Sequence, residues 1–397
     1  MKSIQQIDIC GDDGMRVKLR ELGEIVTGNT PSKQVTEFWD SDDICFVKPD
    51  TINETGISSI QSSVEHLAEA ARSKARVVGN DAVLVTCIGS IGKIGITGQG
   101  EFAFNQQINA IIPNRRVNPK YLAYSLLFAK PQLIAIANAP VVPIINKSQF
   151  GDFEINIAEG IQEQVEVSRT LDIAAGVISK RQQQLSALDD LIKARFVEMF
   201  GDLRSNPKGW PVYCFEDITE IITDGEHATP RRVDQGIYLL SARNVLDHGL
   251  QLYDVDFIDQ EEYDRIAKRI IPQAGDVLIS CSGSVGRCCT VPEGLKFQMV
   301  RSAALLRFDK RVLPVYAEYM ITSDDLQDQI NSSKTASSQA NLFQGRIAKL
   351  KGFVPPIAQQ EQFASFVAQI AKSKSVIQKS LDKTQLLFDS WMQKYFG

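Results

Sequence analysis

Val83-Leu84-Val85-Thr86-Cys87-Ile88-Gly89-Ser90-Ile91-Gly92-Lys93 returns, altered but legible, as Asp276-Val277-Leu278-Ile279-Ser280-Cys281-Ser282-Gly283-Ser284-Val285-Gly286-Arg287. Each copy is an apolar run, then a Gly-Ser-x-Gly turn, then a cation. Gln162-Glu163-Gln164 likewise returns as Gln360-Glu361-Gln362, and Met199-Phe200-Gly201 as Tyr395-Phe396-Gly397. Every offset is close to half the chain. A tandem duplication of this kind predicts two similar domains with pseudo-two-fold symmetry.

The length of 397 residues exceeds one comfortable core, which agrees with at least two domains. Hydrophobic content of 44% and charged content of 23% are those of an ordinary globular chain. The net charge of −5 argues against binding nucleic acid by bulk charge, and leaves room for a local basic face. Seven cysteines without a CxxC pair read as free thiols in a reducing cytoplasm rather than as a disulfide framework. Met1 to Gly14 is polar and has no apolar core, so no signal peptide is expected, and no run is apolar enough to span a bilayer.

Each half follows one plan, a mixed region of short strands and turns and then a long helix. In the first half the mixed region runs from about Lys18 to Asn156, with strands expected at Ile44–Val47, Ala82–Cys87 and Gln107–Ile112 and a helix at Tyr121–Phe128. Turn signals include Gly28-Asn29-Thr30-Pro31 and Ala139-Pro140. In the second half, from about Val212 to Phe353, strands are expected near Tyr238–Leu240, Asp276–Cys281 and Ala303–Phe308. From Ile161 to Met199 there is no proline, and Leu171, Ala174, Ile178, Leu185, Leu188, Ile192 and Met199 recur in steps of three and four, interrupted by Arg181 and Arg195. The second helix matches at an offset of 196 through Val367, Ile370, Ile377, Leu381, Phe388, Trp391 and Tyr395, with Lys374 and Thr384 as exceptions. Such a stripe is a heptad seam, and the shared register makes each helix the natural partner of the other, running antiparallel. Asn206-Pro207-Lys208-Gly209 reads as the linker between halves.

The chain carries few signs of an enzyme. There is no GxxxxGK[ST], and Gly89-Ser90-Ile91-Gly92-Lys93 lies between apolar strand-like segments rather than before a helix. His66, His227 and His248 have no metal-ligand spacing. No nucleophile elbow occurs, nor any Asn/Asp-Pro-Pro-aromatic segment. What remains is a set of polar turns found in both halves. Asn29, Thr30, Ser32 and Lys33 answer to Thr229, Arg231 and Arg232 around a shared Thr-Pro. Ser90 and Lys93 answer to Ser284 and Arg287, where glycines allow close backbone approach and the hydroxyl and cation suit phosphate. A third, amide-rich group sets Asn105, Gln106 and Gln107 against Gln298 and Arg301, and Asn146, Lys147, Ser148 and Gln149 against Gln339, Asn341, Gln344 and Arg346. Asn, Gln and Arg have the forked geometry that base edges require. Each of these groups is equally open to a plainer reading, as a hairpin turn or loop with solvated side chains.

A mixed domain, a long helix entered through Gln-Glu-Gln, and the same again resemble the specificity (S) subunits of Type I restriction–modification systems. The most specific elements are Gly275–Arg287 with its first-half counterpart and Pro355-Pro356-Ile357-Ala358-Gln359-Gln360-Glu361-Gln362. The first half departs from the latter, with Asn156-Ile157-Ala158-Glu159-Gly160 in place of the proline pair. The resemblance implies an α+β chain in which two mixed α/β target recognition domains, in pseudo-two-fold arrangement, are separated by a pair of long antiparallel coiled-coil helices. Its divisions would be residues 1–156, 157–201, 202–356 and 357–397.

The resemblance further implies a non-catalytic, cytoplasmic targeting subunit. Each domain would read half of a bipartite, asymmetric site in double-stranded DNA. The helices would fix the half-site spacing and dock two methyltransferase subunits, with two restriction subunits as further partners. S-adenosylmethionine, ATP and Mg would be bound by those partners and not by this chain, and no membrane is involved. The DNA-contacting candidates are the polar turn residues named above from the first two groups, Gln106, Gln107, Lys147, Gln149, Arg301, Asn341, Gln344 and Arg346 from the third, and Arg243. Charge removal at Lys93 and Arg287 is expected to weaken DNA binding and flatten its salt dependence. Two other classes stay open, a coiled-coil adaptor without a DNA role and a two-domain transferase.

Overall fold

In a computed structural model, residues 15–137, 142–332 and 341–397 are described. The turn expected at Ala139-Pro140 and the candidate Gln339 lie outside them. The chain forms two compact units, Met1–Gln182 with Gln378–Gly397, and Gln183–Ile377.

In the first unit a five-stranded sheet has the order Gly23–Thr27, Ile108–Pro113, Val83–Thr86, Ile94–Thr97, Ile57–Ile60. All its pairs are antiparallel except the last. A second sheet has the order Glu65–Leu67, Ile44–Val47, Phe102–Phe104, Val77–Val78. The strand Val83–Thr86 is buried along its whole length because both faces of its sheet are covered. Alternate side chains serve different cores. Val83 and Val85 pack with Tyr121 and Leu122 of the helix Pro119–Phe128, and Leu84 packs with Val47, Phe102 and Phe104 of the second sheet. A continuous apolar run is therefore what this position demands.

The second unit repeats the core of this topology in its own residues, with one strand fewer in each sheet. Its main sheet has the order Thr219–Asp224, Ala303–Phe308, Val277–Ser280, Cys288–Thr290, and its second sheet Asp256–Ile258, Ile237–Leu240, Phe297–Met299. Val277 and Ile279 face Tyr316 and Met320, while Leu278 faces Phe297 and Met299. In each unit the second sheet mixes one parallel with one antiparallel neighbour around its central strand. The expected strands are all present, with ends displaced by at most one residue. Not foreseen are the main-sheet edge strands Gly23–Thr27 and Thr219–Asp224 and several short strands, such as Ile57–Ile60 and Glu65–Leu67.

The central helix, Ile161–Phe200, and the C-terminal helix, Ile357–Phe396, have 40 residues each, or about 60 Å at the α-helical rise. Their seams follow the expected heptads. From 178 to 192 only Ile178, Arg181, Leu185, Leu188, Asp189 and Ile192 are shielded from solvent. From 370 to 388 only Ile370, Lys374, Ile377, Ser380, Leu381, Thr384 and Phe388 are. The polar interruptions thus occupy seam positions. Within the second unit Lys374 pairs with Asp189, and Phe363 meets Phe196 with centroids 5.4 Å apart, so the two helices run antiparallel. Within the first unit Val167 and Leu171, early in one helix, share a core with Met392 and Phe396, late in the other.

The repeated Gln-Glu-Gln needs a correction of register. The helices correspond at an offset of 196, so Gln164 is the counterpart of Gln360 rather than of Gln362. Both side chains are fully buried. Gln164 accepts from Asn118 N–H (2.8 Å) and donates to the carbonyls of Arg116 (3.2 Å) and Ala158 (2.7 Å). Gln360 accepts from Leu313 N–H (2.8 Å) and donates to the carbonyls of Arg311 (2.9 Å) and Pro355 (2.8 Å). One carboxamide therefore fastens the same corner in each unit, and the missing proline pair leaves it unchanged. Beside this corner the Tyr121 hydroxyl accepts from Ala158 N–H (3.0 Å).

Candidate nucleic-acid interface

Four loops meet at one end of the main sheet in each unit. In the first unit Gly28 N–H bonds the Ile108 carbonyl (3.0 Å) and Asn29 N–H that of Phe104 (2.9 Å). Cys87 N–H bonds the Gln107 carbonyl (2.7 Å), and Ile145 N–H that of Cys87 (2.8 Å). In the second unit Gly225 bonds Ala303 (3.1 Å), Glu226 bonds Met299 (2.8 Å), Cys281 bonds Ser302 (2.7 Å) and Leu342 bonds Cys281 (2.9 Å). Backbone bonds fix these loops, so side chains on them can change without moving the frame.

The Gly-Ser-x-Gly loop is built identically twice. Gly89 and Gly92 have φ of +76° and +79°, and Gly283 and Gly286 of +67° and +97°, the left-handed region that favours glycine. A hydroxyl closes each loop. Thr86 Oγ1 accepts from Lys93 N–H and donates to the Ser90 carbonyl, as Ser280 Oγ does with Arg287 and Ser284. The repeat carried this signal, a hydroxyl residue at the same place in both runs.

The cations after the loops differ. Lys93 is buried, its Nζ 2.6 Å from a Glu54 carboxylate oxygen and 3.2 Å from the Pro49 carbonyl. It ties the fold together and is not presented to solvent, contrary to what the motif suggested. Arg287 is half-exposed, and its guanidinium has no partner among the described residues. Lys93→Met is therefore expected to lower stability and leave the salt dependence of DNA binding alone. Arg287→Ala should lower the slope of log K against log salt by about 1, measured on the assembled complex.

The remaining candidates separate into groups. Thr30 donates to Gln106 Oε1 (2.9 Å), joining two loops, and Asn29 staples the backbone at Lys74 (2.6 Å) and Arg76 (2.8 Å). Ser32 caps its own turn, accepting from Gln34 N–H (3.3 Å), and Gln107 bonds Asn105 (2.8 Å). Ser90, Thr229, Ser284 and Arg301 are exposed on their loops, while Asn341 forms a β-bridge with Ser282. Gln344 donates to the Ile222 carbonyl. Lys147 opens the helix Lys147–Asp152, where Gln149 and Asn146 form a reciprocal cap. Gln149 lines a groove of about 860 Å³ with Phe128, Asp152 and Phe396, and Arg346 lines a similar groove in the second unit with Arg204, Asp325 and Lys349. Gln298 is fully buried with its amide on the Ile270 carbonyl (3.0 Å), so it belongs to the core.

A cluster that the sequence did not disclose lies on the second sheet. Glu65 holds both Lys33 (3.5 Å) and Lys48, and Lys33 also stands over the Trp39 ring (5.3 Å). The hydrogen bond from Lys48 holds the Glu65 carboxyl below the usual carboxylate range, with Lys33 adding to the effect. In the second unit Asp256 holds Arg232 and Arg243, each at 2.9 Å. Nearby Arg231 pairs with Asp259 (2.7 Å) and Glu261 (2.9 Å). Among the described residues no group of His, Cys, Asp and Glu could hold a metal ion, and no helix is long and apolar enough to cross a membrane.

Known proteins share this plan. The chain is 34% identical over 109 residues to the Type I restriction enzyme HindI specificity subunit of Haemophilus influenzae, covering 27% of this chain and 23% of that protein. It is 24% identical over 236 residues to the Type I restriction enzyme MjaIX specificity subunit of Methanocaldococcus jannaschii, covering 54% of each. The match thus spans between about a quarter and about half the length of these relatives. In fold, the S subunit of the Type I restriction–modification system of M. genitalium superposes with a TM-score of 0.57 at 12% identity, over 99% of this chain and 98% of that one. The family model for the Type I restriction modification DNA specificity domain matches twice, at residues 12–187 and 207–384. With the duplicated frame and this double match, the chain belongs to the Type I restriction modification DNA specificity domain family.

Proposed function

We propose that the chain is the non-catalytic specificity subunit of a Type I restriction–modification complex, acting in the cytoplasm. Residues 1–156 and 202–356 each read one half of a bipartite, asymmetric site in double-stranded DNA. The helical segments 157–201 and 357–397 set the spacing between half-sites and dock two methyltransferase subunits, which restriction subunits can join. The observation that carries this reading is one loop frame built twice with different side chains on it, Lys33, Lys48 and Gln106 in one unit against Arg232, Arg243 and Arg301 in the other. A frame held by backbone bonds and varied only in its polar side chains is suited to reading two different sequences. A rigid spacer adds specificity because the second contact becomes intramolecular. Exposed apolar side chains on the helices, Ile173 (63%), Val376 (69%) and Leu386 (72%) among them, offer surface for the methyltransferase subunits.

Base-resolution mapping of methylated adenines, with and without this gene, tests the reading. One bipartite motif should disappear with the gene. An unaltered methylation pattern in cells whose methyltransferase subunit is active would count against it. Exchanging Lys18–Asn156 for the corresponding domain of another family member should alter one half-site and leave the other as it was. A change in both would exclude modular reading.

A further inference from the structure

The carboxylate with two cations occupies the same place in both units. Glu65 opens the strand Glu65–Leu67, antiparallel to Ile44–Val47, and Asp256 opens Asp256–Ile258, antiparallel to Ile237–Leu240. One cation of each set, Lys33 or Arg232, comes from the Thr-Pro loop. The other, Lys48 or Arg243, comes from the turn that follows the central strand of that sheet. The arrangement is kept while its chemistry changes from two ammonium groups to two guanidinium groups.

Stability does not account for it. Side-chain exposures of 30–63% for the lysine set and 32–48% for the arginine set make these surface ion pairs, which contribute little to folding. The carboxylate does fix long side chains that would otherwise be free to rotate. It also leaves donors over. Asp256 engages Nε of Arg232 and Nη2 of Arg243, out of five N–H groups on each. Guanine presents two acceptors, O6 and N7, to such a fork in the major groove.

Resting on the function proposed above, we propose that this two-cation clamp is the base-reading head of each unit. Arg232 and Arg243 read guanines in one half-site, Lys33 and Lys48 read guanines in the other, and Asp256 and Glu65 are positioning residues that hold the cations upright.

The test uses the full chain with its methyltransferase subunits, reading methylated motifs in cells and the binding of the purified complex to duplexes altered one base pair at a time. Arg232→Ala and Arg243→Ala should each relax one guanine position of a single half-site, with discrimination there falling about 5- to 150-fold. The other half-site and the spacing should stay as they were. Lys33→Ala and Lys48→Ala should act only on the other half-site. Asp256→Asn should relax the same positions as the arginine variants, and by less. Arg243→Lys keeps the charge where Arg243→Ala fails to fold, and should also relax its guanine. An unchanged motif, or binding weakened equally for every sequence, would make these cations phosphate contacts or bystanders and overturn the clamp. A wild-type complex with no bipartite motif would overturn the functional reading and the clamp with it.

Discussion

Gln360→Leu is expected to destabilise the second unit by on the order of 3 kcal/mol, and Gln164→Leu the first by a similar amount. Leucine fits the space but cannot serve the three backbone groups that the carboxamide satisfies. Leu313 N–H and the carbonyls of Arg311 and Pro355 would be left unpaired, with Gln360 itself fully buried among them. A buried polar group without a partner costs about 1–3 kcal/mol, so three lost at once dominate any gain from the apolar side chain. The control lies two residues away. Gln362 and Gln162 are exposed, and replacing either by leucine should stay within about 0.5 kcal/mol. Thermal or denaturant unfolding of the full chain separates the two outcomes. Equal losses for Gln360→Leu and Gln362→Leu would mean that the register correction is wrong.

That pair of variants also marks what the sequence could disclose. The helices, the central strands and the duplicated loops were legible because each is a local pattern, a heptad, a buried apolar run or a glycine-bounded turn. The register of Gln-Glu-Gln was not, because letter identity favours the pairing of Gln162 with Gln360 while the hydrogen bonds follow Gln164. Lys93 misled for a similar reason. Its spacing after the loop equals that of Arg287, and only the Glu54 carboxylate, far off in sequence, makes it a buried tie. Glu65 and Asp256 carried no signal at all, since an acidic residue opening a short strand is unremarkable until the strand pairs and brings the cations to it.

The second large effect is expected from lengthening both long helices by one turn. Four residues inserted within Ser179–Leu188, matched by four within Ser375–Thr384, add about 6 Å to each helix. Four residues are close to one turn, so each seam is displaced by only about 40° and can still meet its partner. On duplex DNA, where base pairs stack about 3.4 Å apart, 6 Å is between one and two base pairs. Both half-sites should survive in the methylated motif, separated by a spacer longer by that amount. Methylation at the original motif should fall toward the level of non-specific sites, a loss of about a thousandfold or more. The half-sites act as an internal control, because unfolding would abolish the motif whereas a changed ruler moves its halves apart. Adenine methylation mapping in cells expressing the lengthened chain with its partners reads both. An unchanged spacer in a stable, active complex would show that the helices join the recognition domains without measuring the distance between their half-sites.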